Sequence, residues 1–350
     1  MKRCLLAAML LLCLCGCGRT DRIAHQTIGT ALEITPAEDG WQLAVEYLQQ
    51  TPPDQPAAYG VLTGEGEELH LALSAIEQQS GRSLYLENCR VLLVCCPPET
   101  TVFRQLLEEA DKILKLRPTI PVAVIAKRML TPEKDPELFV GGEGDRFFSN
   151  NRRMDGGRLT LKDHLNTLKD PARCTASVVL ELEEERMVRK GTVLWGSEQA
   201  AVLPLQDGLL LPLSTAGRNS RWVMLEESGL EVEIKNLACQ VHWDETEESL
   251  GMTITLRCRG ELRWAREESA QLDLGEGELA GLLEAQGEQL WRQITEEKGI
   301  DLFDTGKALS WQKPEIWKIL EDTWPDPLRK TSCKFVADVV LSDPSGMLEG

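Results

Sequence analysis

Eleven cysteines, four histidines and 56 carboxylates are foremost among the side chains of this 350-residue sequence able to attack, ligate or move protons. Their spacing argues against most of those uses. Seven cysteines follow Cys17, namely Cys89, Cys95, Cys96, Cys174, Cys239, Cys258 and Cys333. None stands in a Cys-x-x-Cys pair, and Cys95 and Cys96 close the apolar run Val91–Val94. Zinc and thioredoxin-like chemistry need thiols at closer ligand spacing, so no metal site is expected. An odd number of thiols cannot pair completely. Buried thiols in strands are the favoured reading, and disulfides in an exported chain the competing one. His25, His70, His164 and His242 are too scattered for a metal cluster or a proton relay. Acidic runs such as Glu181–Glu185 and Glu245–Glu248 read as solvated turns in so acidic a chain. Gly-x-Ser-x-Gly, His-Glu-x-x-His, Walker-type and Gly-x-Gly-x-x-Gly patterns do not occur. The glycines at Gly141, Gly142 and Gly144 lack the Lys and Ser or Thr that complete a phosphate cradle. No catalytic residue is assigned.

One thiol does sit in a reactive context. The segment opens with Lys2 and Arg3, runs apolar from about Cys4 to Leu14 and closes with Leu14-Cys15-Gly16-Cys17. That is the layout of an export signal, and its apolar part is well short of the roughly twenty residues a lasting membrane helix needs. Leu at −3 and Gly at −1 before Cys17 resemble a lipoprotein processing site, where the thiol takes a diacylglycerol thioether and the freed amine an acyl group. Cys15 is a poorer candidate, with the bulky Leu14 before it. An ordinary cleaved signal is the competing reading. Acyl burial contributes about 0.8 kcal/mol per CH₂, so two or three chains on Cys17 hold a folded body at a bilayer. No other cofactor is expected.

A net charge of −18 repels nucleic-acid backbones and anionic lipid alike, which makes a nucleic-acid partner improbable and leaves the anchor to do the holding. With 42% hydrophobic and 27% charged residues the body should fold in water. Apolar spacing predicts a hairpin from 30–35 and 41–48, a helix over 67–79 closed by Gly81, a strand at 91–96, a helix over 101–116 and a strand at 121–126. The stretch 131–157, rich in Pro, Gly and charge, reads as a mobile connection. Beyond it come a helix near 159–168, strands at 176–182 and 187–195, and a hairpin of 200–204 with 209–213 turning at Asp207-Gly208. Period-two patterning then marks strands at 230–243 and 252–264. The first changes phase near Asn236, as a bulge would require. A long helix over 278–298 carries Leu279, Leu283, Leu290, Trp291 and Ile294 on one side and stops at Gly299. A short helix at 313–320 and a strand at 334–341 close the chain. The fold class is therefore α+β, with mixed β-sheets and packed helices in two or three consecutive domains behind a lipoprotein signal peptide. The signal covers 1–16, an N-terminal α/β region 17–195 reads as one unit or two subdomains with the connection near 131–157, and a C-terminal α+β domain covers 196–350.

Two blocks carry a family resemblance. The segment Gly64–Cys95, GEGEELHLALSAIEQQSGRSLYLENCRVLLVC, resembles the N-terminal block of the Ger(x)C spore germination lipoproteins. Glu297–Asp326, EKGIDLFDTGKALSWQKPEIWKILEDTWPD, resembles their closing block, with Gly299, Asp301, Phe303, Gly306, Trp317 and Trp324 at its characteristic positions. The resemblance implies a non-enzymatic, lipid-anchored C subunit of a nutrient germinant receptor. Its implied partners are two multi-pass membrane subunits, of A and B type, and its implied place is the outer face of the spore inner membrane. It implies no catalytic residues. From their types, Asp301 is expected to cap a short helix, Gly306 to make a turn, and Trp317 and Trp324 to pack, with an interface role for Asp301, Phe303, Gly306 and the tryptophans as the second reading. An exported solute-binding lipoprotein serving a transporter is the alternative function.

Overall fold

The computed structural model describes residues 26–52, 54–150, 159–170, 172–204, 221–245, 250–266 and 271–344. The signal segment, Cys17 and the strand expected at 209–213 lie outside the described residues. Two sheets carry the fold. Strands β1 (Gln26–Ala37), β2 (Gly40–Leu48), β3 (Tyr59–Gly66), β4 (Ser83–Tyr85), β5 (Leu92–Val94), β6 (Val122–Ile125), β7 (Thr175–Glu183), β8 (Arg186–Trp195) and β9 (Ala200–Pro204) form the first. Its order is β3-β2-β1-β5-β6-β7-β8-β9, with β4 paired to the start of β1. The centre, β1-β5-β6-β7, is parallel and both flanks are antiparallel.

Parallel strands are buried on both faces, and the sequences show it: Leu32, Ile34, Leu92, Val94, Val122 and Val124 turn to one side, Ala31, Leu93, Ala123 and Ile125 to the other. The first side is covered by α1 (Leu69–Ser80), α2 (Thr100–Ile113) and Leu161 of α4 (Leu161–Thr167). Phe103 of α2 stacks on Trp195 and meets His164 of α4 edge-on. His164 is fully buried, bonded to Thr175 Oγ1 at 2.9 Å and facing Ser177 Oγ at 3.5 Å, and burial lowers its pKa to about 4.

The second side corrects the expected mobile connection. Residues 140–150 form a helix, α3 (Val140–Asn150), despite their glycines. Glycine is used here for closeness: a Cβ on Gly141 would stand 2.5 Å from the Thr30 carbonyl oxygen, and one on Gly144 2.8 Å from Val91. Two buried carboxylates hold the segment from 128 to 141 that leads into α3. Glu46 accepts the Val140 and Gly141 amides at 2.8 and 2.9 Å and the Thr30 hydroxyl at 2.8 Å, with Lys134 Nζ 3.3 Å away. Glu33 accepts the Met129 and Leu130 amides, both at 2.8 Å, and Arg128 Nε at 3.2 Å. Orphan amides at a helix start need such an acceptor, and the helix macrodipole favours a negative one.

Strand β9 pairs with β8, so the first sheet continues past residue 195, where the C-terminal domain was expected to begin. The second sheet runs β10 (Arg221–Leu225), β11 (Leu230–Glu245), β12 (Leu250–Ala265), β13 (Ser332–Ser342), with β12 and β13 parallel. Its register shifts between Ile234 and Asn236, where the phase of the sequence changes. Helix α5 (Leu272–Leu290), prolonged by a π-turn over Trp291–Glu296, lays Leu279, Leu283, Leu290, Trp291 and Ile294 on the sheet. Its Glu276 and Glu284 accept the Leu341 and Ala337 amides on the open edge of β13, both at 2.8 Å, which blunts that edge. Gly299, at φ 66°, ends this helical run. Helices α6 (Thr305–Gln312) and α7 (Pro314–Leu320) follow before the return to β13.

Candidate functional site

Most of the residues singled out near the C-terminus meet at one corner, where the start of α6 touches the second sheet and the strip leading into β7. Asp301 is 2% exposed. Its Oδ1 accepts the Thr305 amide and hydroxyl, each at 2.8 Å; its Oδ2 accepts the Gly306 amide at 2.8 Å and Trp324 Nε1 at 3.2 Å. The carboxylate thus caps α6 as expected, but from outside the usual position. Asp304, the residue at that position, has φ 53° and makes no cap bond; its Oδ1 lies 3.9 Å from Arg173 Nε. Burial pushes the Asp301 carboxyl up to about 6, against the amide and hydroxyl donors that favour its charged form. With both oxygens engaged and almost no exposure, Asp301 has no face for a substrate. It locks α6 to Trp324.

Gly306 is not a turn residue. It is the second residue of α6 and lies outside the left-handed region. A Cβ there would stand 2.7 Å from Ala172 Cβ and 2.9 Å from Trp324 Cε2, so glycine lets the helix close on the strip leading into β7. Trp324 is 5% exposed and meets Trp317 and Trp243 edge-on, with ring centroids 5.2 and 6.4 Å away. Trp243 Nε1 in turn donates to the Thr305 carbonyl at 3.0 Å. Phe303 faces the other way, 5.3 Å from Phe335 and 6.4 Å from Trp291 between ring centroids. Packing therefore accounts for Asp301, Phe303, Gly306 and Trp324, while Trp317 is half-buried and Trp311 is 78% exposed.

Thiol chemistry finds no foothold in this geometry. Burial pushes the thiols of Cys89, Cys96, Cys239, Cys258 and Cys333 up to about 12, so thiolate is scarce at neutral pH. No disulfide joins any of the seven cysteines among the described residues. Among those residues there is also no group of three His, Cys, Asp or Glu able to hold a metal, and no helix long and apolar enough to cross a membrane. A cleft of about 860 Å³ opens where β1 begins, with Tyr47, Gln49, Gln55 and Arg82 in its wall; among the described residues lining it Arg82 alone is charged. Glu33 and Glu46, which organise the second side of the first sheet, escaped the sequence reading. The available signal was a Glu set among apolar residues in TALEIT and LAVEYL, at positions a two-sided strand buries.

Comparison with known proteins bears on the same corner. Residues 216–344 match the family model described as spore germination B3/GerAC-like, C-terminal. Over those residues the chain is similar to a GerAC-like spore germination domain. That domain contains Asp301, Phe303, Gly306, Trp317 and Trp324. The crystal structure of the GerBC protein shares the fold, with a TM-score of 0.58 at 13% identity, over 89% of this chain and 96% of that one. No curated protein sequence matches the chain. The α+β architecture of mixed sheets and packed helices is thus that of GerBC, and the GerAC-like domain supplies its C-terminal part.

Proposed function

We propose that this chain is the non-enzymatic, lipid-anchored C subunit of a nutrient germinant receptor, joined at the spore inner membrane to A- and B-type multi-pass subunits. The GerAC-like domain over residues 216–344 is the observation that carries the reading. The Leu14-Cys15-Gly16-Cys17 sequence supports an acylated Cys17 as the attachment. Two further features fit. The most enclosed carboxylate of the family block is spent on holding a helix and a tryptophan, and burial keeps the thiols of Cys89, Cys96, Cys239, Cys258 and Cys333 protonated at neutral pH. Such a body suits contact and relay better than turnover.

The anchor is tested in spores carrying Cys17→Ala. The altered chain should leave the membrane fraction, and response to nutrient should fall with it. Membrane retention with normal germination would overturn the anchored reading. One observation favours the solute-binding alternative, namely the cleft beside Arg82, and a ligand that raised the melting temperature through that cleft would support it.

A further inference from the structure

Trp311 and Ile319 are 78% and 76% exposed on consecutive helices, and α7 buries none of its seven residues. Large apolar side chains left in water on one short segment call for a partner. The charge of the segment indicates which. Residues 305–320 contain Lys307, Lys313 and Lys318 against a single acid, Glu315, in a chain of net charge −18; acids resume at Glu321 and Asp322. Lys307 Nζ sits 5.4 Å from the centre of the Trp311 ring, so cation and aromatic form one amphipathic unit, and Lys318 is exposed beside Ile319. Tryptophan and lysine side chains with apolar bodies and polar tips suit the boundary between headgroups and acyl chains.

Position agrees with composition. Gly306, five residues before Trp311 on α6 and about 8 Å along its axis, approaches Ala172 just before β7. Because β1, β5, β6 and β7 are parallel and in step, the start of β7 and the start of β1 lie at the same end of the first sheet. Gln26, where β1 begins, is nine residues from Cys17, a reach of at most about 32 Å. An anchor at Cys17 would therefore keep this end of the molecule near the bilayer.

We infer that α6 and α7 form a second, acyl-independent membrane contact, with Trp311 and Ile319 entering the headgroup layer of an anionic bilayer and Lys307 and Lys318 facing its phosphates. The orientation rests on the Cys17 anchor proposed above; the binding itself does not, which allows a separate test. The full mature chain carrying Cys17→Ser, which cannot be acylated, is sedimented with vesicles of phosphatidylglycerol and phosphatidylcholine in equal parts. At about 0.1 M salt, where a Debye length of about 10 Å screens the acids of the body from the bilayer but not lysines in contact with it, the chain should pellet with them; it should be released at about 1 M salt and stay in solution with phosphatidylcholine alone. Trp311→Ser with Ile319→Ser, and separately Lys307→Gln with Lys318→Gln, should each weaken the partition about tenfold or more. Trp222→Ser with Met224→Ser, on the exposed face of the second sheet, should leave it unchanged. Circular dichroism checks that each variant is folded. Failure of the parent chain to pellet, or pelleting of both α6–α7 variants like the parent, overturns the inference. So does a lipid-free dimer in sedimentation velocity that Trp311→Ser with Ile319→Ser dissolves, since that assigns the face to a second copy.

Discussion

Glu46→Gln is the perturbation that most sharply tests how the N-terminal sheet holds its second face. The glutamate is completely buried, and its two oxygens together serve the Val140 and Gly141 amides, the Thr30 hydroxyl and Lys134 Nζ. The Lys134 side chain is only 4% exposed. A glutamine keeps the shape but replaces one oxygen with an NH₂ that must face a donor, whichever way it turns. It also leaves the lysine buried without its counter-charge. Stranding one buried amide costs about 1–3 kcal/mol, and breaking a buried ion pair from one side about 3–5 kcal/mol. The two overlap at a single carboxylate, so the expected loss is about 3–5 kcal/mol, a large part of an ordinary domain's stability of about 5–15 kcal/mol. Hydrogen exchange read on the α3 amides, together with urea unfolding, measures it: protection of Val140 and Gly141 should collapse first. Adding Lys134→Met should recover part of the loss, because the uncompensated ammonium is removed. A Glu46→Gln chain within about 1 kcal/mol of the parent, with α3 still protected, would mean that Glu46 does not hold α3 in place.

His164 makes the fold acid-sensitive. Its folded pKa of about 4 lies below the 6.5 of a free histidine, so the unfolded chain binds the extra proton and stability is lost as pH falls from about 6.5 to 4. The loss is about 3 kcal/mol, and His164→Phe should flatten that part of the stability–pH curve; an unchanged slope would contradict it. Glycines on the C-terminal helices should respond with opposite signs. Gly306→Ala forces a Cβ against Ala172 and Trp324 and should destabilise by about 1–3 kcal/mol, whereas Gly277→Ala on α5, with nothing within 4 Å, should stabilise by up to about 1 kcal/mol. Thermal melts of the two variants check both signs.

Wherever local pattern and tertiary need coincide, the fold was legible in the sequence. The apolar spacing of α1, α2 and α5, the alternation of β11 and β12 and the phase break at Asn236 each express one buried face, and the structure has them. Helix α3 was not legible, because its glycines lower helix propensity and its start is supplied from outside by Glu46, 94 residues earlier. Strand β3 hid for a related reason: YGVLTGEG has three glycines, and Gly64 and Gly66 serve close contact with α1 rather than conformational freedom. At the candidate site, the types of Asp301 and Trp324 foretold a cap and a packed ring. Gly306 misled, since a glycine chosen for close approach inside a helix looks the same in one dimension as a glycine chosen for a turn. Trp311 and Trp324 illustrate the same limit: residue type alone does not distinguish them, and only packing separates the exposed ring from the buried one.

The chain's proposed role is as one subunit of a membrane receptor. Purification from detergent-solubilised spore membranes, through an affinity tag at its C-terminus, tests that most directly. Two multi-pass membrane proteins should be recovered with it in near-equal amounts, together with an N-terminal peptide beginning at an acylated Cys17. A chain recovered alone, unacylated and from the soluble fraction would contradict it.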